Sequence, residues 1–128
     1  MVPHGHHLAE KDSVSLAELQ GEPYIDLSQD APFRRYCDDL CAKASVRLNR
    51  VMECDYALRR RMVSAGQGIT LIVDSNRTKQ FYTNVSFIPV SDPFARRKVS
   101  VYWLRNRERS MIMEKFLRFI AGYSVQEL

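Results

Sequence analysis

Apolar positions along this chain fall into two spacings, short runs that fit strands and steps of three and four that fit helices. Ser15 followed by Leu16, Ala17, Glu18 and Leu19 predicts a short capped helix. Ser15 is a good N-cap and Glu18 stands at the third helical position, the pattern of a capping box. Gly21 and Pro23 end it. Tyr24-Ile25-Asp26-Leu27 predicts a strand, Ser28-Gln29-Asp30 a polar turn, and Pro32 a first helical position. Phe33, Tyr36, Cys37, Leu40, Cys41 and Ala44 then form one apolar stripe, which predicts an amphipathic helix of about three turns. Arg34, Arg35, Asp38, Asp39 and Lys43 fall on its wet face.

Val51 to Cys54 predicts the next strand, with Asp55 as N-cap of a helix from Tyr56 to Ala65. Leu58, Met62 and Ala65 are placed inward, and Arg59, Arg60 and Arg61 mostly outward. Gly66 terminates that helix as its left-handed residue. Gly68 to Val73 is nearly all apolar and β-branched, the signature of a strand buried on both faces. Val85 to Val90 and Val99 to Leu104 predict two more strands. Met113, Phe116, Leu117 and Ile120 mark a final helix that Gly122 ends. The alternation gives an α/β class with a sheet at least partly parallel.

A chain of 128 residues supports one domain or one lobe of a larger one. Its longest apolar runs are far short of the roughly 20 residues that span a bilayer, so no membrane partner is expected. Met1 to Leu8 is too short and histidine-rich for an export signal, and three cysteines make no disulfide framework. A cytoplasmic protein is the expectation. Charge is uneven: six acids and only Lys11 precede Pro32, and the remaining bases follow it, within an overall +4. That balance permits an acidic ligand and does not by itself argue for nucleic acid.

Several pieces, in order, carry a family likeness. They are His7-Leu8-Ala9, then Ser15-Leu16-Ala17-Glu18-Leu19-Gln20-Gly21-Glu22-Pro23, then Phe33-Arg34-Arg35. Met62-Val63-Ser64-Ala65-Gly66-Gln67-Gly68-Ile69 follows, then Val85-Ser86-Phe87-Ile88-Pro89-Val90-Ser91-Asp92-Pro93, and last Val99 to Arg105 with its helix. The ordered set resembles the effector-binding domain of LysR-type transcriptional regulators, over about residues 3 to 121. Ala65-Gly66-Gln67-Gly68-Ile69 is its most specific piece, while Ser45 stands where that family often has glycine. The resemblance implies a periplasmic-binding-protein-like type II lobe with a mixed, mainly parallel sheet flanked by helices. It implies that residues 1–97 are the second regulatory lobe and 98–128 the returning strand and helix of the first. It further implies a small-molecule effector, a homo-oligomer in which the final helix takes part, and DNA binding only through a winged helix-turn-helix absent from this chain.

The resemblance puts one wall of an inter-lobe cleft at Ser28, Gln29, Asp30, Pro32 and Phe33. A helix N-terminus after a strand suits an anionic group, although Asp30 opposes one, and Ser28 or Asp30 capping the helix is the other reading. Cys54-Asp55-Tyr56 is a second such turn, where Tyr56 either meets a ligand or packs half-buried. Cys37 and Cys41 share a helical face, which fits core packing first and a bridge or zinc half-site second. His4, His6 and His7 lie together, but a metal site needs further ligands at fixed geometry, so no metal or cofactor is expected. Arg59-Arg60-Arg61 and Arg96-Arg97-Lys98 read as solvated faces. No hydrolase motif occurs, and no histidine follows position 7. Sensing of a small, acidic organic ligand is thus the leading function. A solute-binding protein lobe and a small cytosolic thiol enzyme using Cys37, Cys41 or Cys54 remain the alternatives; a depressed thiol pKa is what the enzyme would need.

Overall fold

The computed structural model describes residues 1–73, 83–97, 100–102, 104 and 109–122. Its strands are β1 (Val2–Pro3), β2 (Pro23–Leu27), β3 (Asn49–Cys54) and β4 (Val85–Ser86). Its helices are α1 (Pro32–Lys43), α2 (Tyr56–Ser64) and α3 (Met111–Ala121), with 3-10 turns at His7–Glu10 and Leu16–Leu19. The second turn carries the capping box its sequence predicts, with Ser15 N donating to the Glu18 carboxylate at 2.8 Å. Hydrogen bonds from Lys11, and then from Ser15, hold the Glu18 carboxyl down at about 2.

β2 and β3 pair in parallel, from Pro23 opposite Asn49 to Leu27 opposite Cys54. On the other side of β2, Ile69 forms a parallel bridge to Tyr24. Ile25 N donates to Ile69 O at 2.9 Å and Ile69 N to Pro23 O at 2.8 Å. Gly68 makes this approach possible, because a Cβ there would stand 2.4 Å from the Pro23 carbonyl oxygen. Met1 exchanges backbone hydrogen bonds with Thr70 in both directions, and β1 runs antiparallel to β4. Among the described residues there are thus two two-stranded ladders, β2–β3 parallel and β1–β4 antiparallel, linked through the backbone of Ile69 and Thr70.

Successive residues of β2 point to opposite faces, and each face has its own helix. Tyr24 joins Phe33, Cys37 and Leu40 of α1 and Leu16 and Leu19 of the second 3-10 turn. Ile25 joins Cys54 and Val63, the latter from α2. Burial pushes the Tyr24 phenol up, so it stays neutral, and its oxygen accepts from Leu71 N at 3.1 Å. Helix, strands and helix make three layers with an apolar cluster on each face of β2.

Five expectations change. The strand expected over Gly68 to Val73 is reduced to the single parallel bridge from Ile69 to Tyr24, and Thr70 to Val73 form no strand. In α2 the buried side chains are Arg59 and Val63, while Leu58 is 41% exposed and Ala65 is exposed. The helix turns an i, i+4 pair toward the sheet because Arg59 finds buried partners there. In α1, Arg34 leaves the wet face and is buried, again because carboxylates meet it below the helix. The strand expected over Val85 to Val90 shrinks to β4 plus a parallel bridge from Val90 to Val14. Of Val99 to Leu104, Val99 and Trp103 lie outside the described residues, and Ser100 to Tyr102 and Leu104 form no strand.

The helix expected near the C-terminus is present. Ser110 caps it, accepting from Met113 N at 3.3 Å. None of its side chains is buried; Met111 and Ile112 are 80% and 81% exposed. Among the described residues no helix is long and apolar enough to cross a membrane.

Candidate functional site

Parallel pairing of β2 and β3 sets their carboxyl ends next to each other, so the two strand-to-helix turns stand side by side. Ser28 N donates to Cys54 O at 3.2 Å, tying the first turn to the second. Ala31 N donates to Ser28 O at 3.0 Å, and Arg34 N to Ala31 O at 2.9 Å.

The two helix ends differ. Asp55 caps α2 as predicted, its carboxylate accepting from Leu58 N at 2.8 Å. α1 starts at Ala31 and Pro32, and no side chain caps it. Ser28 and Asp30 are exposed and do not take the capping role that was the alternative for them. The positive end of the α1 dipole therefore faces solvent at this turn.

Arg59 lies between the turns and is only 5% exposed. Its Cζ is 5.3 Å from the Tyr56 ring centroid and 5.9 Å from that of Phe33, within cation–π range. Its Nη1 donates to Leu71 O at 3.3 Å. One guanidinium thus joins an aromatic ring from each turn to the Leu71 carbonyl, two residues past the Ile69 bridge. The sequence reading missed Arg59 by placing it in an exposed basic run. The available signal was its i, i+3 spacing from Tyr56, which puts both on one helical face.

Under the first turn sits a buried ionic cluster. Asp26 is 1% exposed and lies 3.1 Å from Arg34 Nε and 2.8 Å from Arg50 Nε through Oδ2. Asp26 Oδ1 accepts from Leu27 N at 2.8 Å. Arg34 Nη1 donates to Leu27 O at 2.7 Å and to Glu53 at 3.0 Å, and its Nε to Asp38 Oδ2 at 3.0 Å. Arg50 also pairs with Asp38. The end of β2 is thereby fixed to β3 and α1 from beneath.

Of the six residues singled out from the sequence, Ser28, Gln29, Asp30 and Pro32 are exposed on the first turn. Phe33 is buried beneath it and Tyr56 is 55% exposed at the second. A cavity of about 700 Å³ lies behind Phe33, with Tyr36, Thr70, Val73 and Arg96 also in its wall. Phe33 alone of the six lines it. The Tyr36 hydroxyl is buried with no hydrogen-bond partner among the described residues.

The thiols do not look like nucleophiles. Cys37, Cys41 and Cys54 are all free and buried. Burial pushes the Cys37 thiol up to about 12 and raises Cys41 and Cys54 as well. This is the reverse of the depressed pKa that thiol catalysis needs.

Comparison with known proteins bears on the family and the fold. The LysR substrate binding domain family matches residues 1–124. YybE of Bacillus subtilis, an uncharacterized HTH-type transcriptional regulator, is 30% identical over 123 residues, which are 95% of this chain and 41% of that protein. HinK, a LysR family transcriptional regulator from Pseudomonas aeruginosa, superposes with a TM-score of 0.70 at 25% identity, over 92% of this chain and 41% of that one. The effector binding domain of QuiR in complex with shikimate superposes with a TM-score of 0.65 at 22% identity, over 92% and 56%. The chain spans about 41% of the length of the curated relative. These likenesses bear out the α/β, periplasmic-binding-protein-like architecture expected from the sequence.

Proposed function

We propose, from the premise that this chain belongs to the LysR substrate binding domain family, that it is the effector-sensing portion of a LysR-type transcriptional regulator. Residues 1–97 are read as the second regulatory lobe and 98–128 as the returning part of the first. The effector is a small organic acid held against Ser28, Gln29, Asp30, Pro32, Phe33 and Tyr56. DNA is bound by a winged helix-turn-helix outside this chain, in a cytoplasmic homo-oligomer to which the exposed apolar side of α3 contributes.

The observation that carries the reading is Arg59 between Phe33 and Tyr56. It makes the two turns one surface and adds a buried positive charge beneath it. The uncapped α1 end adds a second positive contribution, and both favour a carboxylate. Asp30 sets a limit, since its exposed carboxylate repels an anion that approaches from its side. Tyr56 offers a ring for stacking and a hydroxyl for hydrogen bonding. The surface is open because it forms one jaw, and a ligand that also touches the other jaw biases the lobes toward closure. Only the difference in affinity between two arrangements of the oligomer reaches the DNA.

The effector binding domain of QuiR, which shares this fold, has a structure in complex with shikimate, a carboxylate. Thermal-shift screening with shikimate and other small aromatic and aliphatic acids tests the proposal. A ligand at about a hundred times its Kd stabilises the folded chain by about 2.7 kcal/mol. That shift is expected to shrink with Tyr56→Ala. No stabilisation by any acid, or a shift that Tyr56→Ala leaves intact, would show that these turns are not the effector surface.

A further inference from the structure

A second cluster forms at the other end of β2. Glu22 immediately precedes that strand, and His6 and His7 stand at the start of the first 3-10 turn. The Glu22 carboxylate takes one imidazole on each oxygen: His7 Nε2 is 2.7 Å from Oε1 and His6 Nε2 is 3.3 Å from Oε2. The two rings lie 4.5 Å apart between centroids. One donor atom from each of the three residues falls within 4.8 Å of the others. A tetrahedral ion with bonds of about 2.1 Å holds its donors roughly 3.4 Å apart, so small side-chain rotations fit these three around one ion.

We propose that His6, His7 and Glu22 are a binding site for a divalent transition metal of the Zn²⁺ class. Two imidazoles and one carboxylate suit Zn²⁺, Co²⁺ or Ni²⁺ better than Mg²⁺ or Ca²⁺, which prefer oxygen donors throughout. Three protein donors leave a fourth position for water. The sequence shows neighbouring histidines without a geometry; folding supplies the third donor from fifteen residues away. The backbone fixes that donor, since Glu22 N donates to Leu19 O at 3.3 Å. His6 Nδ1 now accepts from Leu8 N at 3.3 Å. Coordination through Nε2 moves the ring proton to Nδ1, so the metal and that cap compete, and the Leu8 amide reports occupancy. His6 and Glu22 are only 17% and 21% exposed at their side chains, whereas His4 is exposed and outside the cluster. The bound ion would clamp the segment entering the fold to the start of β2. The five residues of β2 separate this site from the two turns by about 16 Å, so it stands or falls apart from the effector reading.

Calorimetric titration of the metal-free chain with Zn²⁺ tests the site, alongside amide NMR spectra of the same samples. One ion per chain is expected, with a Leu8 amide shift on binding. Glu22→Gln keeps the shape of the side chain and is expected to weaken binding roughly tenfold or more, about 1.4 kcal/mol per tenfold. His4→Ala is expected to leave the affinity within about twofold, and the NMR dispersion of each variant reports its fold. Absence of saturable binding, an affinity that Glu22→Gln does not change, or equal losses with His4→Ala and Glu22→Gln would overturn the site.

Discussion

After β3 the helix end is closed by its own neighbour, Asp55, whose carboxylate takes up Leu58 N. After β2 the helix end is left open, and the turn is held from below by Asp26, Arg34 and Arg50. The first arrangement stabilises the helix and uses up its affinity for anions. The second fixes the backbone without occupying the amide end. A capped and an uncapped corner are thus joined by one buried arginine and differ in what supports each of them.

Several substitutions break or sharpen this contrast. Asp26→Ala is expected to act most strongly, because it leaves the buried Arg34 guanidinium short of a partner; urea unfolding should show a loss of about 3 kcal/mol. A loss under about 1 kcal/mol would mean that the open turn does not depend on its ionic support. Arg59→Met removes the cation between the rings while keeping much of the apolar stem, and about 2 kcal/mol should be lost in the same assay. Unchanged stability would separate the two corners energetically.

The caps themselves give the most direct comparison. Asp55→Ala should cost about 1 kcal/mol, whereas Asp30→Ala, at a position that caps nothing, should change stability by less than about 0.5 kcal/mol. Equal costs would erase the distinction between the corners. The smallest effect concerns the other end of α1, where Ser45 holds a φ of 55°. Ser45→Gly should raise stability by about 0.5 kcal/mol, read as a small upward shift in the denaturation midpoint. A decrease would mean that the serine side chain contributes something its backbone strain conceals.

The local elements were legible where one stretch of chain contains the whole cause. The capping box at Ser15 and Glu18, Pro32 opening α1, Asp55 capping α2 and Gly66 at a φ of 76° each depend on neighbours within a few residues. The apolar stripe of α1 likewise named Phe33, Cys37, Leu40 and Cys41 as core, and all four are buried. Arginine was the systematic failure. Periodicity alone places Arg34 and Arg59 toward solvent, because charge is ordinarily costly to bury. Both are buried because other elements supply partners: Asp26 and Glu53 of β2 and β3 for Arg34, and the Phe33 ring and the Leu71 carbonyl for Arg59.

The sequence by itself determined helices α1, α2 and α3 and strands β2 and β3, where most of them begin, and that two turns sit at strand ends. Only the tertiary structure decided that those turns adjoin through Ser28 and Cys54, that Arg59 joins them, and that Glu22 meets His6 and His7. The reason is range. Backbone torsions and caps act over about four residues, while ion pairs, ring contacts and metal donors depend on distances that exist only once β2 lies beside β3 and the first turn has folded back onto Glu22.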